Sequence, residues 1–542
     1  MPNPEEQFQL IDEKIAQAKE NLRNLHSQRN SLLPICRLPN EVLGLILSFC
    51  TSDLRLRGHS TTRSRSWLWP THVCQHWRAV ALGCPAIWNT PDFTKTSLAQ
   101  EMLVRAKSAP LYIRAAIYSD RDGKREVLRD ALQDMTRVAK INISSSLPSI
   151  LQVLAELVQP APMLSSLSII NKQHATSVVL RDDFLANDAP GLRELSLQHC
   201  VLHWGRMSKS LSGLRELILQ GGESNRISRS DLKAFLQALQ MMQALKSLEL
   251  WDILPYGDSV IVGILTTLPE LESVRVTGSV TGCVSLLNAV TFPSKAFLDI
   301  NAIVPTGDSI LSKAFPILPR LINIAEHYAE SIYMCTMTNR FVLRVFDHKD
   351  VRHPSHGLSR LNFYLSKTAR PYMQQVELDD FAKHALQILP VPRLSAINVA
   401  VGNGISAEDY IQYFGSLTKL HTMTVEGSCG YSFIQAFCSS TFTHPPGDIP
   451  FLSLRTIVLQ HMDLETPLDG GAAVGVRFLN ALRHRSETGE AVHCVSIKTC
   501  SNFSTEQHAD LKEVVGEVDW DGYYVDSDGE EREYYDSQDS DY

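Results

Sequence analysis

Three side chains that could ligate a metal lie within five residues of one another, at His72, Cys74 and His76. Histidines four residues apart fall on one face of a helix, and cysteine is a soft ligand. A structural zinc site needs four ligands in a closed set, and no second cysteine or histidine pair follows at zinc-finger spacing. The sequence therefore favours packing as the role of these side chains and predicts neither a metal nor a cofactor.

Catalytic sites often leave a local sequence signature, because the chemistry needs a particular backbone or ligand geometry. The chain contains no G-x-S-x-G elbow, no G-x-x-x-x-G-K-[ST] phosphate loop, no G-x-G-x-x-G and no H-E-x-x-H. Its nearest glycine-rich segment, residues 470–475, lacks the lysine that would contact β- and γ-phosphates, and we interpret it as a connector before a helix. We therefore predict that the chain is not an enzyme.

A short coiled-coil helix is predicted over residues 5–33. Apolar residues recur there in alternating steps of three and four, from Phe8 and Ile11 to Leu25 and Leu32, and Arg29 also falls on this seam. The seam spans fewer than four heptads, which is marginal for pairing. Two alternatives stay open, namely self-association through this helix and packing of the helix on its own domain.

The next segment, residues 34–92, predicts a small helical domain with too much apolar surface for its size. Pro39 can open a helix whose apolar residues fill more than one face, and a second apolar and aromatic unit ends at Trp88. A domain of about this length has a marginal core. It is expected to rely on a binding partner or on the domain that follows.

These two units resemble the F-box, and specifically the F-box-like proteins abundant in mushroom-forming fungi. The similarity is carried by Leu38-Pro39-x-Glu41-Val42-Leu43, by Val73-Cys74-x-x-Trp77-Arg78-x-Val80-Ala81 and by Pro85-x-x-Trp88. The resemblance implies that residues 34–92 bind a Skp-type adaptor of a cullin-based ubiquitin ligase. It also implies an adaptor contact made by Leu38, Pro39, Leu43, Ile46 and Trp77.

A repeated template, L-x-x-Φ-x-Φ with Φ apolar, organises most of the remaining chain. Successive copies begin at Leu164, Leu192, Leu214, Leu245, Leu271, Leu394, Leu420 and Leu454. The first intervals, of 28, 22, 31 and 26 residues, bracket the leucine-rich repeat period of about 20–29. We predict an α/β fold in which residues 93–518 form a leucine-rich-repeat-like solenoid, its curved parallel sheet covered by helices on one face. Between residues 297 and 376 only degenerate strands such as RFVLRVFD and QQVELDD occur, so repeats there are inferred from continuity.

The strands of these repeats predict a target-binding surface. Side chains alternate along a strand, so the Φ residues point into the core and the residues between them point to the concave face. The candidate target-binding residues are Ser196, Gln198, Glu249, Trp251, Arg275 and Glu426. Trp251 is singled out because an aromatic beside acidic residues on a polar face has the character of a binding anchor. Packing of Trp251 beneath a neighbouring loop is the alternative.

Charge and composition narrow the class of protein. Residues 519–542 hold ten acidic side chains and Arg532, so the other 518 residues sum to about +1 and predict no nucleic-acid partner. The longest apolar stretch, Val42 to Cys50, is too short to span a membrane, and the polar N-terminus is not a secretory signal. Eleven cysteines with no C-x-x-C pair favour free thiols in a reducing compartment. We expect a cytoplasmic or nuclear protein with an acidic, disordered tail over residues 519–542.

These features together predict a function. The chain is expected to be a substrate-recognition subunit of a Skp/cullin/F-box ubiquitin ligase, with the F-box-like domain on the adaptor and the repeats on a protein target of unknown identity. The alternative is a non-ligase interaction scaffold built on the same repeats. Copurification of an adaptor would separate the two.

Overall fold

Helices and strands alternate along the chain in an α/β architecture. A computed structural model describes residues 4–57, 66–119, 123–155, 157–173, 177–207, 211–222, 226–256, 265–305, 308–326, 328–337, 339–348, 359–367, 374–389, 393–402, 404–443, 449–468, 470–525 and 531–533. The chain divides into two units, Met1–Leu214 and Arg215–Tyr542. No helix in the described part of the chain is long and apolar enough to cross a membrane.

The first unit begins with helices and continues with strands. Its α-helices are α1 (Pro4–Ser31), α2 (Asn40–Arg57), α3 (Gln75–Gly83), α4 (Pro85–Trp88), α5 (Thr96–Ala106), α6 (Lys124–Ala131), α7 (Pro148–Ala155) and α8 (Trp204–Met207). Its strands are β1 (Leu111–Ile117), β2 (Val138–Ser145), β3 (Ser166–Asn171), β4 (Val178–Val179), β5 (Glu194–Gln198) and β6 (Cys200–Val201). Strands β1, β2, β3 and β5 pair in parallel in that order, and β4 pairs with β6.

Helices α2, α3 and α4 pack around a small core. Leu43 and Leu47 of α2 are buried in it. A Cβ atom at Gly44 would lie only 3.3 Å from the Cys84 Sγ atom, so this glycine allows α2 to approach closely. The Trp88 Nε1–H donates to the Ala81 carbonyl at 2.8 Å, which satisfies the indole in the core.

The second unit carries the larger sheet. Its α-helices are α9 (Arg229–Met241), α10 (Val280–Ala289), α11 (Ile310–Ala314), α12 (Leu318–Ala325), α13 (Gln374–Ile388), α14 (Ala407–Phe414), α15 (Ser428–Thr443), α16 (Val474–Glu487) and α17 (Thr505–Val514). Its strands are β7 (Glu216–Gln220), β8 (Ser247–Trp251), β9 (Thr266–Thr267), β10 (Ser273–Ser279), β11 (Val290–Thr291), β12 (Phe297–Val304), β13 (Ser331–Met337), β14 (Arg340–Phe346), β15 (Leu361–Lys367), β16 (Ala396–Ala400), β17 (Thr422–Glu426), β18 (Thr456–Gln460), β19 (Cys494–Lys498), β20 (Glu517–Trp520), β21 (Tyr523–Val525) and β22 (Glu531–Glu533).

The strand order shows where the repeat pattern breaks. In the described residues of this unit the order is β7-β8-β10-β12-β15-β14-β13-β16-β17-β18-β19-β20. Strand β14 runs antiparallel to both of its neighbours, whereas the other pairs of this order are parallel. The prediction of a purely parallel sheet is therefore corrected to a mostly parallel one. The segment QQVELDD, predicted as a degenerate strand, forms the first half of helix α13.

All eight copies of the L-x-x-Φ-x-Φ template coincide with strands, namely β3, β5, β7, β8, β10, β16, β17 and β18. Several strands are followed by the same left-handed turn, because φ is +51° at His199, +48° at Asp252, +50° at His461 and +47° at Thr499. Residues other than glycine adopt this conformation rarely. Its recurrence at one place after the strand indicates a repeated backbone unit.

Two cysteines follow this turn and link neighbouring strands. The Cys200 Sγ atom lies 4.0 Å from the Ile169 carbonyl of β3, and the Cys500 Sγ atom lies 3.5 Å from the Leu459 carbonyl of β18. Burial raises the pKa of Cys200 to about 12 and the pKa of Cys500 to about 11, so both stay protonated and can donate. All eleven cysteines are free thiols, as predicted, and six are buried.

The apolar core of the second unit lies between the Φ face of the sheet and the helices. Phe341 of β14 and Phe363 of β15 meet Phe381 of α13 with ring centroids 5.1 and 6.3 Å apart. These edge and tilted contacts are the geometries that aromatic rings prefer. Helix α13 therefore covers the antiparallel strand as the other helices cover the parallel ones.

The end of the sheet extends slightly beyond the predicted solenoid boundary at residue 518. Strand β20 runs to Trp520, whose ring packs 5.3 Å from Phe503 and 5.1 Å from His508. Strands β21 and β22 then pair in antiparallel fashion. Most of the predicted disordered tail, residues 526–530 and 534–542, lies outside the described residues.

Candidate functional site

The outward face of helix α2 carries an apolar stripe formed by Val42, Leu45, Ile46 and Phe49. Their exposed fractions are 41, 58, 37 and 73 %. The positions i, i+3, i+4 and i+7 lie along one side of a helix, and the opposite side, with Leu43, is the one that packs inward. A row of large apolar side chains left in water marks an interaction surface.

The predicted adaptor-contact residues divide between this surface and the core. Pro39 is exposed and Leu38 is half-buried at the start of α2, Ile46 lies on the apolar stripe, and Trp77 is half-buried on α3. Leu43 is fully buried, at 0 % exposed, and in the free chain it packs in the domain's own core.

Three members of the apolar stripe, Val42, Leu45 and Phe49, were not among the predicted contacts. The helical spacing with Ile46 is the signal that would have found them, since the prediction already placed apolar residues on more than one face.

The histidine and cysteine residues near residue 75 do not share one helical face. His72 ends a 3-10 helix (Ser66–His72), whereas Cys74 is the N-cap of α3 and accepts the Trp77 backbone N–H at 3.4 Å. A cleft of about 380 Å³ brings Cys74 and His76 beside His26 and Cys36. Among the residues that the structure describes, no group of three or more His, Cys, Asp or Glu is arranged to hold a metal.

Helix α1 leaves its coiled-coil seam exposed. None of its residues is buried, and Phe8, Ile11, Ile15, Leu22 and Leu25 are each at least 45 % exposed. The structure therefore does not show the alternative, in which the helix packs on its own domain through the seam. A seam of this kind is expected to pair with a second helix.

We expect the chain to dimerise through α1 at about 100 µM and to become monomeric when Leu22 and Leu25 are both changed to aspartate. Full burial of each leucine would stabilise the dimer by about 1.5–3 kcal/mol, and the substitution removes this stabilisation from both chains of the dimer. The molar mass from light scattering would fall from twice 60.6 kDa to 60.6 kDa. Leu10→Asp is the matched control, because Leu10 is exposed on the same helix but off the seam. A monomeric wild-type chain at this concentration would contradict the prediction.

The polar face of the second unit's sheet is the face opposite the helices. Residues in register form a continuous row across it: Glu249, Arg275, Asp299, Asn362, Arg344, Tyr333, Asn398, Thr424, Val458, Ser496 and Asp519. The row runs from β8 to β20 and crosses the antiparallel strand. Part of this face is buried, although it was predicted to be exposed, and the buried residues of the row are Asn398, Thr424, Val458 and Ser496. The larger accessible side chains of the row lie on the neighbouring strands β8, β10, β12, β15, β14 and β13.

Three of the predicted target-binding residues lie side by side on β8 and β10. The Arg275 guanidinium donates to the Glu249 carboxylate at 2.5 Å, directly across the strand pair. Trp251 is 41 % exposed on the same face, which argues against packing beneath a loop. Next to it Asp252 accepts a bidentate contact from Arg226, with the closest distance 2.9 Å.

The remaining predicted residues are dispersed. Ser196 and Gln198 lie half-buried on β5 of the first unit, in register with Ser168 and Ile170 of β3. Glu426 lies at the end of β17, where its carboxylate is 3.6 Å from the His461 Nε2 atom. Within the second unit, β17 is not a neighbour of β8 or β10 in the sheet, so Glu426 lies apart from Trp251.

A cluster that the sequence did not indicate lies on the central strands β13, β14 and β15. The Tyr364 ring has the Arg340 guanidinium 4.3 Å and the Arg344 guanidinium 5.9 Å from its centroid, and the Arg344 Nη2–H donates to the Tyr364 hydroxyl at 3.4 Å. Arg344 also lies 5.8 Å from the centroid of Tyr333. We call Arg340, Arg344, Tyr333 and Tyr364 the arginine–tyrosine cluster.

The electrostatics of this cluster are set by burial and by the nearby arginines. Burial raises the pKa of the Asp299 carboxyl, and the positive charges of Arg275, Arg340 and Arg344 partly offset that rise. Glu249 is already paired with Arg275.

Comparisons with models of protein families and with curated proteins find no match to this chain.

Proposed function

We propose that this chain is the target-binding subunit of a cullin-based ubiquitin ligase. In this proposal the F-box-like helices α2 to α4 bind a Skp-type adaptor, and the leucine-rich-repeat-like sheet binds a protein target. The chain itself makes and breaks no covalent bond. It raises the effective concentration of the target near the enzyme that does.

The observation that carries the proposal is the apolar stripe of α2. Val42, Leu45, Ile46 and Phe49 are exposed while Leu43 on the other side fills the core, so the helix has one apolar face for its own domain and a second for a partner. Leu38 and Pro39, which carry the resemblance to the F-box, lie at the start of the same helix. An apolar helical face suits a groove on another protein.

The test is to mix the purified full chain with a purified Skp-type adaptor and to measure complex formation by gel filtration. We expect a stable complex, and we expect Leu38→Ala with Pro39→Ala to weaken it at least tenfold, because these side chains adjoin the apolar stripe. Undiminished binding by the double variant, or no complex with the wild-type chain, would contradict the proposal. The second outcome would leave the non-ligase scaffold as the better account.

A further inference from the structure

The outer edge of strand β1 is open along most of its length. Strand β1 lies at the end of the first unit's sheet, and in the described part of the chain it pairs only with β2. The Tyr112 backbone N–H points away from β2 and donates to the Asn89 carbonyl at 2.8 Å. Because successive residues of a strand alternate in direction, the N–H and C=O groups of Arg114 and Ala116 also point away from β2. These groups make no hydrogen bond to another described residue.

The side chains on one face of β1 are buried in the core. Ile113, Ala115 and Ile117 are only 1, 7 and 1 % exposed, whereas Ala116 is exposed and has a short side chain. An incoming backbone can therefore approach the outer edge closely while the core holds the strand in place. An open strand edge presents donors and acceptors at the spacing that another extended chain requires. The edge of β1 is thus suited to receive a further strand.

Arg114 gives this edge a positive charge. Its side chain is exposed on the polar face, and it makes no ion pair, hydrogen bond or ring contact with another described residue. The residues in register with it on the next strands are uncharged, namely Asn142, Ser168 and Ser196. Lys140, on the neighbouring strand β2, is exposed too. The first acidic side chain on β2, β3 or β5 is that of Glu194, three strand spacings or about 14 Å from β1.

Charge complementarity selects the occupant of the edge. A residue directly opposite Arg114 on an added strand would have its Cβ atom about 5 Å from that of Arg114, so a carboxylate there could form an ion pair. A second copy of this chain is disfavoured, since antiparallel pairing centred on Arg114 would set two arginines against each other. An extended acidic segment meets both requirements of the edge, which are backbone pairing and a counter-charge.

We propose that strand β1 binds an extended acidic segment of a partner protein, which adds to the sheet as a strand beside Arg114. Backbone hydrogen bonds to Arg114 and Ala116 supply much of the affinity, and the carboxylate opposite Arg114 supplies selectivity. Binding of this kind needs no adaptor, so it goes beyond the proposed function. Salt weakens it, because the ion pair is exposed to solvent.

The experiment uses the full chain and a fluorescein-labelled peptide of alternating glutamate and valine, with a lysine–valine peptide of the same length as the opposite-charge probe. Valine is chosen because it favours the extended backbone. Fluorescence anisotropy is measured at about 50 mM and about 500 mM NaCl, which shortens the Debye length about threefold. The glutamate peptide is expected to bind, and to bind more weakly at high salt, and the lysine peptide is expected not to bind.

Arg114→Glu is expected to weaken binding of the glutamate peptide about tenfold or more and to allow the lysine peptide to bind, because the charge opposite the peptide is reversed. Its matched control is Arg129→Glu, since Arg129 is exposed on helix α6 of the same unit and the change in net charge is equal. The control is expected to bind both peptides as wild type does. A glutamate peptide that binds Arg114→Glu as tightly as wild type would overturn the proposal.

Ala116→Pro tests the backbone pairing, because proline removes the outward N–H and leaves the ladder to β2 intact. It is expected to weaken binding of the glutamate peptide about tenfold. Ala116→Ser, which keeps the N–H, is the matched control and is expected to bind like wild type. Thermal unfolding within about 3 °C of wild type would show that the proline variant is folded.

Two modified peptides test the same pairing on the wild-type chain. One is N-methylated at every glutamate and the other at every valine, so each lacks the N–H groups along one edge. Only one edge of an added strand faces β1, so one of these peptides is expected to bind and the other is not. Binding of both, binding of neither, or no binding of the parent glutamate peptide at about 1 mM would contradict strand addition. So would a folded Ala116→Pro variant that binds the peptide like wild type, and a lower molar mass of that variant in light scattering would then identify a second copy as the occupant.

Discussion

A chain carrying Leu45→Ser and Phe49→Ser is expected to bind the proposed Skp-type adaptor about 100-fold or more weakly than wild type. Both side chains stand on the apolar stripe and are 58 and 73 % exposed in the free chain. Burying two such residues in an interface contributes about 3–6 kcal/mol, which corresponds to about 10²- to 10⁴-fold in Kd. Isothermal titration with purified adaptor measures the change.

The stability of this double variant should differ little from that of wild type, because neither side chain is buried in the free domain. Val104→Ser with Val476→Ser serves as the matched control, since both valines are exposed on other helices, at 73 and 45 %. The control is expected to bind the adaptor like wild type. A change of less than fivefold in the Leu45 and Phe49 variant would show that α2 is not the contact helix.

The second large effect is expected at Arg485, where alanine should lower the free energy of unfolding by about 3–5 kcal/mol. This side chain is only 1 % exposed. It donates to the Thr441 hydroxyl at 2.9 Å and to the carbonyls of Pro450 and Phe451 at 2.6 and 3.3 Å, and it lies 4.2 Å from the ring of Phe437. Alanine leaves these acceptors unsatisfied beside a cavity.

Burial lowers the pKa of Arg485 to about 10, so the guanidinium stays charged at neutral pH and its hydrogen bonds are charge-assisted. Arg483 gives the matched control, because it is exposed two residues earlier on the same helix. Arg483→Ala is expected to change the free energy of unfolding by less than about 0.5 kcal/mol. Urea denaturation of the two variants compares them directly, and a cost below about 1 kcal/mol for Arg485→Ala would contradict the prediction.

A strand could be predicted from the sequence wherever one copy of the L-x-x-Φ-x-Φ template occurs. The alternation L-x-x-Φ-x-Φ reflects burial of one strand face, which holds for each copy independently of its neighbours. A further parallel copy, Val492-x-x-Val495-x-Ile497-x-x-Cys500, was missed because its first position is valine and the template required leucine.

The error at QQVELDD has a different cause. Val376 and Leu378 alternate like strand residues over a short window, but Leu378, Phe381, Ala382 and Ala385 continue at helical spacing and are all buried. A window of 11 or more residues is needed to separate the two periods.

The candidate surfaces were predictable only in part. Exposure of the α2 face could be anticipated from its excess of apolar residues. Which leucine faces inward depends on how α3 and α4 dock, and in the structure Leu43 is the buried one. The arginine–tyrosine cluster depends on an antiparallel pairing of β14 with β15 that the repeat pattern does not encode. Sequence spacing therefore identified strands, whereas tertiary pairing decided which side chains meet.

Strands β15, β14 and β13 lie in the sheet in the reverse of their order along the chain, and this has a consequence for how the second unit folds. In a regular solenoid each repeat pairs with the next one along the chain, as Val274 does with Leu298, and folding can spread from repeat to repeat. Strand β12 instead pairs with β15, joining Leu298 to Leu361, so the two are separated by the helices and hairpin strands that lie between them. Closing this longer loop costs more chain entropy before any contact is gained. Folding that spreads from the N-terminal strands of this unit would stop at β12, and folding that spreads from its C-terminal strands would stop at β13. These two blocks of strands would become one cooperative unit only when the β14 hairpin docks between them.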